Sequence, residues 1–121
     1  MTETGNDSDY DLEDRTFEFA RSVRSFCKRL PGTVGNREDA KQVIRSSGSV
    51  GANYIEANEA LSKKDFLHRI RIARKEAKES RYWLRLVDTR SDAVLDEVRA
   101  ELVDEARQLM LILGAILRNS S

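Results

Sequence analysis

The sequence predicts an all-α protein, an up-down-up-down four-helix bundle, and three observations carry that prediction. Apolar residues recur at alternating spacings of three and four along nearly the whole chain, and no β-type alternation interrupts them. There is a single proline, Pro31, so little breaks those periodicities from within. Turn-forming residues punctuate the chain at three places only, which gives four amphipathic segments of bundle length. At 121 residues the chain is one domain, with enough side chains for a single core.

The first helix is expected over 11–30, where Leu12, Phe17, Ala20, Val23, Cys27 and Leu30 form a stripe with Phe19 and Phe26 beside it. Pro31-Gly32 stops it. A second helix over 37–60 follows an N-cap at Asn36, with Glu38 and Asp39 in its first turn. Its stripe is Ala40, Val43, Ser47, Val50, Tyr54, Ala57 and Leu61. Ser62 caps a third helix over 63–88, with Asp65 at N3. Phe66, Ile70, Ala73, Ala77, Ser80, Leu84 and Val87 keep heptad spacing there, as a near-parallel bundle seam requires. After a turn at 89–92, the fourth helix (92–118) carries two stripes. Leu95, Val98, Leu102, Leu109, Ile112 and Ile116 form one; Val103, Ala106, Met110, Leu113 and Leu117 form the other. The bundle therefore occupies 11–118, behind a leader of ten residues.

Formal charge is zero, from 21 basic and 21 acidic residues, but its distribution is uneven. Glu3, Asp7, Asp9, Asp11, Glu13 and Asp14 precede the first basic residue, so the rest of the chain holds all 21 basic residues against 15 acids. Residues 1–10 read as a disordered, solubilising acidic leader. No signal peptide is visible, and the longest apolar run, 109–117, is too short for a membrane span. A lone cysteine, Cys27, suits a reducing compartment, and the expected location is cytoplasmic.

The most unusual stretch is 45–59, a helical segment whose middle is built from small residues. Gly48 and Gly51 each cost a helix interior about 1 kcal/mol relative to alanine. Such a run is expected where another backbone comes close, with Gly48, Gly51 and Ala52 allowing the approach. Arg45, Asn53 and Glu56 are the polar residues set to fix register; Asn53 and Glu56 share a face.

The same stretch carries a family resemblance. Arg45, then Ser49-Val50-Gly51-Ala52-Asn53-Tyr54-Ile55-Glu56, then Ser62-Lys63-Lys64-Asp65-Phe66, resemble the paired motifs of four-helix-bundle proteins encoded within intervening sequences of bacterial 23S rRNA genes. The segment Ala73-Arg74-Lys75-Glu76-Ala77-Lys78-Glu79-Ser80-Arg81-Tyr82-Trp83-Leu84 is similar to one branch of them. The likeness covers about 36–117. Many members have proline where this chain has Gly51, so a bend there is permitted rather than enforced. The resemblance implies a homopentamer without established enzymatic activity. A relative, the accessory protein of diversity-generating retroelements, binds nucleic acid and a reverse transcriptase, which implies RNA or DNA, or a nucleic-acid-processing protein, as partner.

On a helical wheel, Lys64, Arg71, Arg74, Lys75, Lys78, Arg81 and Arg85 fall within an arc of roughly 120° on the third helix. Such a stripe can track phosphates, and Tyr82 beside it can stack on a base. The competing reading is a solvated face, neutralised in part by Asp92, Asp96, Glu97, Glu101, Asp104 and Glu105 of the fourth helix. Trp83, Ile72 and Leu86 lie off the seam and suggest a second apolar surface for self-association. No catalytic constellation stands out: His68 is the only histidine, Asp65 is spoken for as a cap, and no glycine loop suits a phosphate. No metal, cofactor or catalytic residue is expected. The sequence thus leads to a non-enzymatic oligomer that binds nucleic acid through the third helix, or alternatively to a protein-interaction scaffold that does not.

Overall fold

In the computed structural model, the backbone is described from Thr4 to Ser121 and side chains from Leu12 onward. Four helices follow in order: α1 (Thr4–Lys28), α2 (Val34–Asn58), α3 (Lys63–Leu86) and α4 (Ala93–Ser120). The described residues include no strand. Each helix packs on its chain neighbours, and α1 closes the bundle against α4. The α2–α3 interface is the most extensive and the α1–α4 interface the lightest. This is the predicted all-α four-helix architecture. Helix α1 begins at Thr4 rather than near residue 11. Residues 1–3, and all side chains as far as Asp11, lie outside the described residues, and with them the expectation of a disordered leader.

The core is continuous through all four helices. Val23, Phe26, Val43, Val50, Ile70, Ala73, Ala77, Leu84, Ala106, Leu109 and Leu113 are essentially inaccessible to solvent. The heptad seam of α3 is buried as predicted from Ile70 to Val87, with Phe66 half-buried at its start. In α1 the buried face is rotated from the predicted stripe. Leu12, Thr16, Phe19, Val23 and Phe26 point inward, whereas Phe17 is 57% exposed and Ala20, Cys27 and Leu30 are half-buried. The reason is Thr16. Its hydroxyl donates to the Glu13 carbonyl at 2.9 Å, so a polar residue occupies a core position without an unmet hydrogen bond. Phe17, left outside, has the Arg21 guanidinium 5.7 Å from its ring centroid.

The small-residue run of α2 divides into distinct roles. A Cβ built on Gly51 would stand 2.8 Å from Thr16 Oγ1 and 3.1 Å from Thr16 Cβ, so this glycine is where α1 crosses closely. At Gly48 a Cβ would meet only the Arg24 guanidinium, at 3.5 Å, and Ala52 is exposed. Close approach therefore falls to Gly51, not to Gly48 or Ala52. On the other side of α2, buried Ser46 and Ser80 share a 2.7 Å hydroxyl–hydroxyl hydrogen bond between α2 and α3. Ser80 also bonds to the Glu76 carbonyl.

The connections correct two further expectations. Helix α2 is capped by Thr33, whose hydroxyl accepts from Asn36 N at 3.0 Å, so Asn36 is not the N-cap and Glu38 and Asp39 lie beyond the first turn. Buried Asn36 instead ties the first connection to the end of α3. Its amide donates to the Pro31 and Asp88 carbonyls, both at 2.9 Å, and its oxygen accepts from Asp88 N at 2.8 Å. Leu61, placed in the core stripe by spacing, is fully exposed because α2 ends at Asn58 and the helical register is lost. Ser62 caps α3 through Asp65 N as expected, and Asp92, expected as the first residue of the fourth helix, caps it through Leu95 N. Between α3 and α4, Arg90 and Ser91 have φ of 54° and 60° in a tight turn closed by Asp92 N bonding to the Thr89 carbonyl.

These environments give the two helical glycines opposite mutational signs. Gly51→Ala should lower stability by about 1–3 kcal/mol, since buried, β-branched Thr16 cannot yield without moving α1. Gly48→Ala should raise it by up to about 1 kcal/mol through helix propensity alone. Thermal or urea denaturation of the two variants measures both, and the double variant Gly51→Ala with Thr16→Ala should recover part of the loss.

Candidate nucleic-acid interface

The basic residues of α3 stand at i, i+3, i+4 and i+7 spacing beside the buried seam, which turns them outward toward α4. Arg71, Arg74, Lys75 and Lys78 line one wall of a groove of about 620 Å3 between α3 and α4. The other wall and the floor come from Met110, Leu111, Gly114 and Arg118. Gly114 leaves space for the Arg74 stem: a Cβ there would meet Arg74 Cδ at 3.7 Å and Arg118 Nη1 at 3.6 Å. Five cations thus surround an apolar strip in which Leu111 is 53% exposed.

None of these five cations has a carboxylate within ion-pairing distance among the described residues. Four of the six acids of α4, Asp92, Asp96, Asp104 and Glu105, are engaged elsewhere, and Glu97 and Glu101 belong to its first half. Glu105 forms a two-point pair with Arg15 of α1, at 2.7 and 3.1 Å. Asp104 bonds to Arg107 at 2.9 Å and to Gln108 at 2.6 Å, and these bonds hold its carboxyl below the ordinary value. Asp96 pairs with Arg99 and accepts from the Thr89 hydroxyl, and Asp92 caps its own helix. Beyond Glu105, α4 has no acidic side chain, and antiparallel packing lays this acid-free half against the basic wall.

The predicted stripe is only partly gathered by this groove. Lys64 and Arg85 are exposed but do not line it. Arg81 is half-buried, and its Nε has no partner among the described residues. Tyr82 is 57% exposed and meets Trp83 edge-on, with ring centroids 5.1 Å apart, but it does not line the groove either. Arg118 and the Met110–Leu111–Gly114 floor escaped sequence reasoning. The signal was present in the lack of acids after residue 105, which acquires meaning only once α3 and α4 are paired antiparallel.

Arg45, Asn53 and Glu56 do not form one network within the chain. Arg45 reaches Glu76 at 3.3 Å and Glu79 at 3.8 Å, both on α3. Asn53 accepts from Arg69 at 3.1 Å and donates to the Ser49 carbonyl at 2.9 Å. Glu56 is exposed. Two separate clasps therefore join α2 to α3, because Arg45 and Asn53 are eight residues apart, about 12 Å along a helix. His68 is exposed, and no group of three or more metal-ligating side chains occurs among the described residues. No helix there is long and apolar enough to cross a membrane. Burial pushes the Cys27 thiol up to about 11, against a smaller opposing effect of Arg24.

Two outcomes follow from these side chains. Arg45→Ala should cost about 1–2 kcal/mol, mostly by leaving the nearly buried Glu76 carboxylate unpaired, and Glu76→Gln in the same chain should restore much of it; denaturation of the two variants measures this. Cys27 should react with a thiol alkylating reagent at pH 8 roughly a hundredfold more slowly than an ordinary cysteine, because its thiolate fraction falls tenfold per unit of pKa. Timed mass spectrometry of the native protein reads that rate, and urea should abolish the difference.

Comparison with known proteins places this geometry in a family. No curated protein matches the chain. A crystal structure of a protein with unknown function from the S23 ribosomal protein family of Bacteroides thetaiotaomicron is similar, at 32% sequence identity and a TM-score of 0.73, over 88% of this chain and 97% of that one. The family model described as 23S rRNA-intervening sequence protein matches residues 8–115, the span that contains the whole α3–α4 groove apart from Arg118. The chain belongs to the 23S rRNA-intervening sequence protein family.

Proposed function

We infer that this protein is a non-enzymatic nucleic-acid-binding bundle that holds a phosphodiester strand in the α3–α4 groove. The observation that carries the reading is the five cations, Arg71, Arg74, Lys75, Lys78 and Arg118, held together without carboxylate partners among the described residues. Isolated surface cations usually find a carboxylate or scatter; five converging on one groove produce a field that concentrates anions. The apolar floor of Met110 and Leu111 offers a surface on which bases or sugars can lie once the phosphates are paired. Lys64 and Arg85 extend the same face beyond the groove and would steer a longer strand toward it.

A second reading, a protein-interaction scaffold, rests on residues that, Leu111 apart, lie outside the groove. Phe17, Ile55, Tyr82, Leu86, Val94 and Leu111 are large apolar side chains that are 43–57% exposed. Apolar exposure of this kind suits self-association, and the family likeness suggests a homopentamer, in which the groove would be repeated five times. The two readings are compatible: assembly multiplies weak phosphate contacts into avidity. A cytoplasmic location accords with both.

Fluorescence anisotropy with RNA and DNA oligonucleotides between 50 and 200 mM salt tests the proposal. If all five cations pair with phosphates of a single strand, log K should fall against log salt with a slope of about −3.5. Arg74→Glu with Lys78→Glu should weaken binding at least tenfold and flatten the slope, whereas Arg37→Glu with Lys41→Glu on α2 should change it far less. Absence of binding at 50 mM salt, or binding indifferent to the α3 reversals, would overturn the nucleic-acid reading. Sedimentation velocity at micromolar protein decides self-association, and a monomer there removes the ring.

A further inference from the structure

The α3–α4 groove is shaped to refuse a double helix. A B-form major groove is about 12 Å wide and admits one α-helix. Helix α3 is not free to enter one, because α2 and α4 pack along two of its flanks. Two helices side by side, with axes about 8–10 Å apart and each about 10 Å thick, are too broad for it. The major groove of duplex RNA is narrower still. A duplex therefore lies only across the rims, and its stacked bases stay out of reach of Met110 and Leu111 on the floor. Those apolar side chains gain a base contact only from a strand whose bases are unpaired.

The wall that carries the cations continues past the groove into an aromatic side chain. Tyr82 stands four residues after Lys78 and seven after Lys75, hence on the same face of α3 and about 6 Å beyond Lys78. It is 57% exposed, and its edge-on contact with half-buried Trp83, at 5.1 Å between ring centroids, restricts how the ring can turn. Exposed Arg85 follows three residues later on that face. The acids of this part of α3, Glu76 and Glu79, point the other way, to Arg45 of α2. Cations thus bracket an exposed aromatic ring, the combination by which proteins hold single strands.

We propose that the groove takes single-stranded nucleic acid in preference to duplex, and that Tyr82 stacks on a base of the strand where it leaves the groove. This rests on the reading of the groove as a nucleic-acid site and adds the class of strand and a residue that selects it. The preference runs against plain electrostatics. A duplex carries one charge per roughly 1.7 Å of axis, more than a single strand does, so a site made of cations alone favours the duplex. Preference for the single strand is therefore a signature of base contact.

Fluorescence anisotropy at 50 mM salt, with labelled oligo(dT) and oligo(rU) against DNA and RNA hairpin duplexes of equal phosphate number, reads the preference. The single strands should bind at least about tenfold more tightly. Tyr82→Ala should cost the single strands about tenfold and the duplexes little, and Tyr82→Phe, which keeps the ring, should bind as the parent does. Stacking releases no counterion, so log K against log salt should keep its slope in Tyr82→Ala, whereas Arg74→Glu with Lys78→Glu flattens it. Sedimentation velocity of Tyr82→Ala should match the parent. Duplexes bound as tightly as single strands, or Tyr82→Ala without effect on single strands, would overturn the proposal and leave the groove reading in place. So would a changed sedimentation coefficient, which assigns the ring to self-association. Absence of binding by every probe would overturn the groove reading itself, and this proposal with it.

Discussion

The arrangement depends on how closely α2 and α3 can pack, and two buried hydroxyls set that distance. Ser46 and Ser80 meet at 2.7 Å, a separation that larger side chains at either position would prevent. Ala73 and Ala77, inaccessible on the same seam, keep the backbones near on the N-terminal side of Ser80. A hydroxyl pair of this kind also penalises slippage, because moving either helix by a residue breaks the Ser46–Ser80 bond and leaves each hydroxyl with only its bond to its own helix. The Arg45–Glu76 and Asn53–Arg69 clasps add two more points at which α2 and α3 match only in this register.

That register determines what α3 shows to solvent. With its seam turned onto α2, the positions one step round the helix, Arg71, Arg74, Lys75 and Lys78, face along α4. The tight turn at 89–92 then brings α4 back antiparallel at once. Two consecutive residues with positive φ, Arg90 and Ser91, carry that reversal at a cost of roughly 1–2 kcal/mol each relative to relaxed conformations. The turn is held from several sides. Asn36 grips both backbone groups of Asp88, the Asp88 carboxylate accepts from Arg90 N, and the Thr89 hydroxyl bonds to Asp96. A longer, looser connection would let α4 slide and would not hold its acid-free half beside the cations.

Charge in this molecule is sorted by length along α4 rather than by helix. Four of the six acids in its first half are taken up by Arg15, Arg99, Arg107 and the cap, while its second half contributes only Arg118 and apolar side chains to the groove. A chain with no formal net charge therefore carries a locally strong positive field. The alternative in which α4 neutralises α3 depended on counting acids over the whole helix, and the pairs that form assign most of those acids to other partners.

Periodicity and capping are local and survive without knowledge of neighbours, so the four helices, the α3 seam, the cap at Ser62 and the family are all legible in the chain itself. The basic residues of α3 are legible there too. Local pattern could not tell that Thr16 rather than Phe17 faces the core, that Gly51 alone receives α1, or that Asn36 staples a connection instead of capping a helix. Each of those depends on the partner brought opposite, and a threonine or asparagine has no fixed preference until its hydrogen-bond partner is in place. The groove is the clearest case. Its two walls are about 40 residues apart in sequence, and it takes the antiparallel docking of α3 and α4 to join Arg118 to the α3 cations while the acids of α4 fall on the other half of the helix.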